Sequence, residues 1–225
     1  MNKIVALSII AGLAVLMQGC GAQNVKLSQQ DREGLKNLNT ITVVHQSAGW
    51  PSFKTPAGVL ASELTLGLSE DWSAGQKMVH KYKIEDPSQK IQNKFLKQLN
   101  NGSKVANFST IKKPLGYKEG TIEKLKEKYK EGVVLKFHNH WWQIWYYPTN
   151  WGRYQMWFQA NAELVRLDDS KVLWKSVCKA DQKNSKTAPT LDELTAENSK
   201  VLEKWVEDAT TQCSDQLVKD FYGNI

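Results

Sequence analysis

Residues 133–178 constrain the fold most tightly. Four stretches rich in β-branched and aromatic residues follow one another there: 133–138, 141–147, 154–167 and 171–178. Only turns separate the later ones, Pro148-Thr149-Asn150-Trp151-Gly152 and then Asp168-Asp169-Ser170. A parallel pairing needs a crossover of a dozen residues or more, so connections this short predict an antiparallel meander. Alternation along a strand sorts the side chains into two faces. Trp141, Trp145 and Tyr147 share one face, and Trp142 and Tyr146 the other. On the next strand Gln155, Trp157, Gln159, Asn161 and Glu163 make a polar face bearing one tryptophan, opposite Tyr154, Met156, Phe158, Ala160 and Ala162.

Before the meander, residues 41–45 read as a β-branched strand, and Gly49-Trp50-Pro51-Ser52-Phe53-Lys54-Thr55-Pro56 as a turn-rich break. Residues 59–68 fit no class clearly. Asp86-Pro87-Ser88-Gln89 has the form of a helix start, with Asp86 as cap and Pro87 at the first helical position. Ile91, Phe95 and Leu99 then form one apolar stripe, which Asn100-Asn101-Gly102 ends. A short strand is predicted over 105–108, and a helix through Ile122, Leu125 and Tyr129 to a stop at Gly132. Thr190 and Glu193 fit a capping box. Leu202, Val206, Ala209, Cys213, Leu217 and Phe221 recur about every four residues and mark a long terminal helix. The predicted class is α/β of the α+β type: a mixed sheet with an antiparallel C-terminal meander, helices packed against it, and a long C-terminal helix.

The first twenty residues give an address. Lys3 precedes a thirteen-residue apolar run, 4–16, and then Met17-Gln18-Gly19-Cys20. A charged start, a short apolar core and a small residue before a cut site form a secretory signal peptide. As a helix the run would reach about 20 Å, short of the ~30 Å hydrocarbon core that an anchor must cross. The cysteine after the cut resembles the lipobox of bacterial lipoproteins, with Met17 where that family usually carries Leu. The resemblance implies diacylglycerol on the Cys20 thiol, cleavage before it, and acylation of the new amino group, with palmitate as an acyl chain. With Gly21, not Asp, next in line, it implies residence in the outer membrane facing the periplasm. The expected organisation is a signal peptide at 1–19, a lipidated cysteine and linker at 20–38, and one periplasmic domain at 39–225. In an oxidising compartment Cys178 and Cys213 pair by default as a disulfide; two buried thiols or a two-cysteine metal site are the alternatives.

Charge is uneven along the chain. Residues 77–136 hold fifteen lysines against six acids, and residues 159–225 hold nine Lys and Arg against twelve acids. A basic stretch suits a polyanion. Export argues against nucleic acid and leaves lipopolysaccharide, lipid headgroups or acidic glycans, unless the lysines only solvate helix surfaces.

The order strand, helices, strand, helix, antiparallel strands, long helix resembles the periplasmic fold of the curli secretion lipoprotein and the amino-terminal domain of TolB. Ala162-Glu163-Leu164-Val165-Arg166-Leu167-Asp168 followed by Lys171-Val172-Leu173-Trp174 is also similar to a recurrent segment of bacterial lipoproteins. These resemblances imply an export, assembly or regulatory accessory and carry over no site residue.

Nine of the eighteen residues in 141–158 are aromatic. Trp142, Trp151 and Trp157 are the candidate contacts for a protein partner or a glycan, against the alternative that the cluster is core. The binding reading requires at least one of the three to be exposed. His138 and His140, two apart, are weak metal candidates, and His45 near Ser47 lacks a nucleophile context. No cofactor or metal is expected. The expected function is non-enzymatic: an envelope accessory lipoprotein docking a protein, or alternatively a module binding glycan or lipopolysaccharide.

Overall fold

The computed structural model describes residues 24–56, 71–101, 106–181 and 186–223. The signal peptide, Cys20, the stretch 59–68, Gly102 and Val105 lie outside them. The frame is a long hairpin of β4 (Val133–Tyr147) and β5 (Asn150–Arg166), which β6 (Lys171–Asp181) extends as an antiparallel neighbour. The other edge is parallel. β1 (Ile41–His45) pairs with the first half of β4 and with β3 (Phe108–Thr110), while β2 (Ser52–Lys54) pairs with the second half of β4. The result is a six-stranded mixed sheet in the order β3-β1-β4-β5-β6, with β2 beside β4. The predicted fold class and meander are both present.

One face of the sheet is buried under helices. Here α2 (Asp71–Tyr82), α3 (Pro87–Asn101) and α6 (Lys200–Tyr222) cover a large core that includes Phe95, Phe137, Trp142, Ile144, Trp174 and Phe221. Asp86 caps α3 by accepting from the Ser88 and Gln89 backbone N–H groups, and Thr190 with Glu193 forms the expected capping box on α5 (Leu191–Thr195). The apolar stripe of α6 lies buried from Leu202 to Phe221. Cys213 on it is bonded to Cys178 of β6, which ties helix to sheet. The second face carries a smaller core, Val44, Leu115, Leu125, Val134, Val165 and Leu167, packed under α4 (Ile122–Tyr129).

Four sequence expectations are corrected. The stretches 133–138 and 141–147 are one strand: β5 hydrogen-bonds across the polar Asn139-His140 step, and a bulge between Asn139 and Trp141 absorbs the extra residue. The break at 49–56 contains β2, held because Phe53 stacks on Tyr154 with centroids 5.7 Å apart. The strand expected over 105–108 runs instead from Phe108 to Thr110, where it meets β1. The linker assigned to 20–38 is in its later part a packed element: α1 (Gln29–Lys36), capped by Ser28, buries Leu35, and Leu27 joins the large core. Its mean composition is polar, and Leu27 and Leu35 dock it together with an Asp31–Lys171 ion pair and a hydrogen bond from Arg32 to the Phe221 carbonyl.

Candidate functional site

Beyond the small core no helix of the described residues lies over the second face of β4, β5 and β6, and its side chains change character along the strands. Nearest the core is a buried charge set. Glu163 Oε2 meets Lys136 Nζ at 2.8 Å and its Oε1 meets Lys175 Nζ at 2.8 Å, while Lys136 also donates to the Gly120 carbonyl. Burial alone would raise the Glu163 carboxyl, but the charge and hydrogen bond of Lys136, joined by Lys175, hold it down at about 2. One step further His138 and Asn161 sit side by side, Nε2 to Nδ2 3.1 Å. Burial, with the Lys136 charge behind it, pushes the His138 imidazole down to about 4, so it is neutral at pH 7.

The next step is aromatic. Trp145 and Trp157 stack with centroids 5.5 Å apart, and Lys54 Nζ lies 4.6 Å over the Trp145 ring. Trp157 donates through Nε1 to Gln155 Oε1 at 3.1 Å, which fixes the ring's rotation. Trp141 and Trp157 are 49% and 42% exposed. With Gln143, Gln159, Lys179 and Asp181 they line a shallow cleft of about 200 Å³. The bulge makes this surface: by shifting the pairing of β4 one residue, it puts Trp141, Gln143 and Trp145 on the same side as Lys136 and His138.

Of the predicted contacts, Trp151 and Trp157 are exposed, Trp151 to 58% at the hairpin tip. The Trp151 Nε1–H donates to the Pro148 carbonyl at 2.8 Å, and the ring meets Tyr146 edge-on. Trp142 is 4% exposed and belongs to the large core with Ile144, so it is no surface contact. Trp141, its neighbour, is the exposed one. Alternation had placed the two on opposite faces, but only the helices over one face decide which is covered. His138 and His140 do not converge: the first pairs with Asn161, and the ring of the second meets Trp141. Among the described residues no group of three His, Cys, Asp or Glu side chains is placed to hold a metal ion. His45 is buried at the end of β1, and Ser47 Oγ accepts from the Gly49 backbone.

The basic and acidic stretches meet. Lys90 and Lys94 of α3 both pair with Glu207 of α6, and Lys136 pairs with Glu163. Part of the lysine excess thus serves internal pairing across the two halves.

No family model matches the chain, and no curated relative matches it. Solved structures with some likeness include the PelC dodecamer from Paraburkholderia phytofirmans, 10% identical, covering 80% of this chain and 86% of that one at a TM-score of 0.33. The hypothetical protein CT253 from Chlamydia trachomatis is 7% identical, with 83% and 99% covered and a TM-score of 0.39. Lipoprotein GNA1162 from Neisseria meningitidis is 12% identical, with 76% and 97% covered and a TM-score of 0.25. Likenesses this distant carry no weight for what the chain does.

Proposed function

We propose that this chain is a non-enzymatic accessory protein of the bacterial cell envelope, held to the outer membrane on its periplasmic side by lipid on Cys20, and that it docks a protein partner of an assembly or export system. The observation that carries the docking role is Trp151: a large ring at a hairpin tip, 58% exposed and held by its own hydrogen bond to Pro148. Tryptophan is among the side chains enriched at the anchors of protein interfaces, and one already held in place loses little rotamer entropy on burial. The disulfide fits an oxidising compartment. A second reading, glycan binding, is favoured by the cleft beside Trp141 and Trp157, where amide and charged groups flank aromatic rings.

The test uses the full-length chain as bait in envelope extract. Trp151→Ala should leave the melting temperature within a degree or two and lose the partner that wild type recovers. Equal recovery by both would overturn the docking role. Trp142→Ala calibrates the melts, because emptying a buried tryptophan site should cost about 3–5 kcal/mol. Labelling cells with radioactive fatty acid tests the anchor separately: Cys20→Ser should take up none.

A further inference from the structure

The start of the described chain is tied to the sheet beside the open aromatic face. Val25 and Lys175 exchange two backbone hydrogen bonds of 2.9 Å as an antiparallel pair, and the Asn24 side chain accepts from the Val177 N–H at 3.1 Å. Direction matters here. From Val25 to Asn24 the contacts move forward along β6 from Lys175 to Val177, in the direction of Asp181, the cross-strand partner of Trp157. Asn24 also lines one depression together with His140, Trp141, Gln159 and Lys179. Cys20 precedes Asn24 by four peptide units, a chain that spans at most about 14 Å. A lipid on Cys20 therefore brings a membrane surface to within that reach of this edge of the sheet.

We propose that the second face of β4–β6 rests on the headgroup layer of the membrane that holds the anchor, with Trp141 and Trp157 inserted at the interface. The proposal rests on the Cys20 anchor reading above and names the surface that this face meets. Its chemistry suits that layer. Tryptophan concentrates at membrane interfaces, where an apolar ring with one N–H donor is half dry and half wet. Gln143 and Gln159 offer amide donors to phosphate and glycerol oxygens. Lys54 and Lys179 meet anionic headgroups; Asp181 is the acid at the rim, and Glu163 is already neutralised by Lys136 and Lys175. Acyl chains alone hold a domain on a loose tether; an exposed aromatic face beside the tether fixes its orientation. In this arrangement Trp151, at the hairpin tip, is left for the protein partner.

The full-length protein, produced with its signal peptide in bacteria, is reconstituted into phosphatidylethanolamine–phosphatidylglycerol vesicles containing phosphatidylcholine brominated near the top of its acyl chains. Flotation reads the anchor, and tryptophan quenching reads the face. Wild type should float and be quenched. A Trp141→Phe, Trp157→Phe variant should float equally and lose at least half of the quenching, whereas Trp151→Phe should keep it. A floating wild type with unquenched emission would overturn the face proposal and leave the anchor standing. Failure of the wild type to float would refute the anchor and the proposal with it. An emission change on adding core oligosaccharide, with none on adding brominated lipid, would reassign the face to a glycan and overturn the proposal.

Discussion

Glu163, buried, and His138, half-buried, lie on the same face of the sheet and give the protein a two-stage response to acid. The ordinary His138 value is 6.5 and the folded value about 4, so between those limits the unfolded chain binds a proton that the folded chain refuses. Stability falls as pH drops through that window, by up to about 3 kcal/mol for this group. Glu163 follows, with an ordinary value of 4.5 and a folded value of about 2; its contribution is complete above 4.5 and lost as pH falls toward 2. Urea unfolding at stepped pH should show stability declining from pH 6.5 downward. His138→Gln should reduce the decline between 6.5 and 4.5, leaving the share of His45, which burial also holds below its ordinary value, and the part below that window. Equal slopes in wild type and variant would show that the imidazole does not stay neutral. Glu163→Gln should destabilise already at pH 7, because it leaves Lys136 and Lys175 crowded without a counter-charge.

At the scale of elements, the contact between α2 and β2 depends on one glycine. Gly75 faces Pro51 so closely that a methyl group there would collide with the Pro51 carbonyl oxygen. Backbone oxygen cannot swing away as a side chain can. Gly75→Ala should therefore cost about 1–3 kcal/mol despite alanine's better helix propensity, as read from denaturant midpoints. A stabilised variant would mean that the helix moves off β2 without loss. Such features explain what local reading recovers. The capping signals at Asp86 and Thr190 and the stripe of α6 were legible because their partners lie within a few residues. β2 was not: Phe53 is held by Tyr154, a hundred residues on, and its own neighbourhood of Gly49, Pro51 and Pro56 reads as a turn. In the site, the aromatic character was plain, but Trp142 and Trp141 exchanged roles, since alternation divides residues between faces without saying which face α3 and α6 will cover.

At the scale of the whole molecule, one covalent bond joins the sheet to the helices over its larger core. Cys178 of β6 and Cys213 of α6 are 35 residues apart, and the bond between them closes that loop in the unfolded chain as well. The entropy it removes there is worth about 4 kcal/mol. Unfolding with reductant present, or in a Cys178→Ser, Cys213→Ser chain, should lose stability on that order. Coincident curves with and without reductant would show that the sheet and helix layers need no such tie.

The sequence by itself determined the meander, the long closing helix and the compatibility of its two cysteines. Each of these follows from periodicity or from turns too short for another topology, and such rules act between residues close in the chain. The tertiary structure decided the rest. It set the bulge that turns Trp141 and Trp145 to the face of Lys136, the burial of Trp142, the docking of α1 and the tie of Asn24 and Val25 to β6. These depend on which surfaces meet across the fold, and no local pattern records which face of a sheet the helices cover or where the chain's start comes to rest.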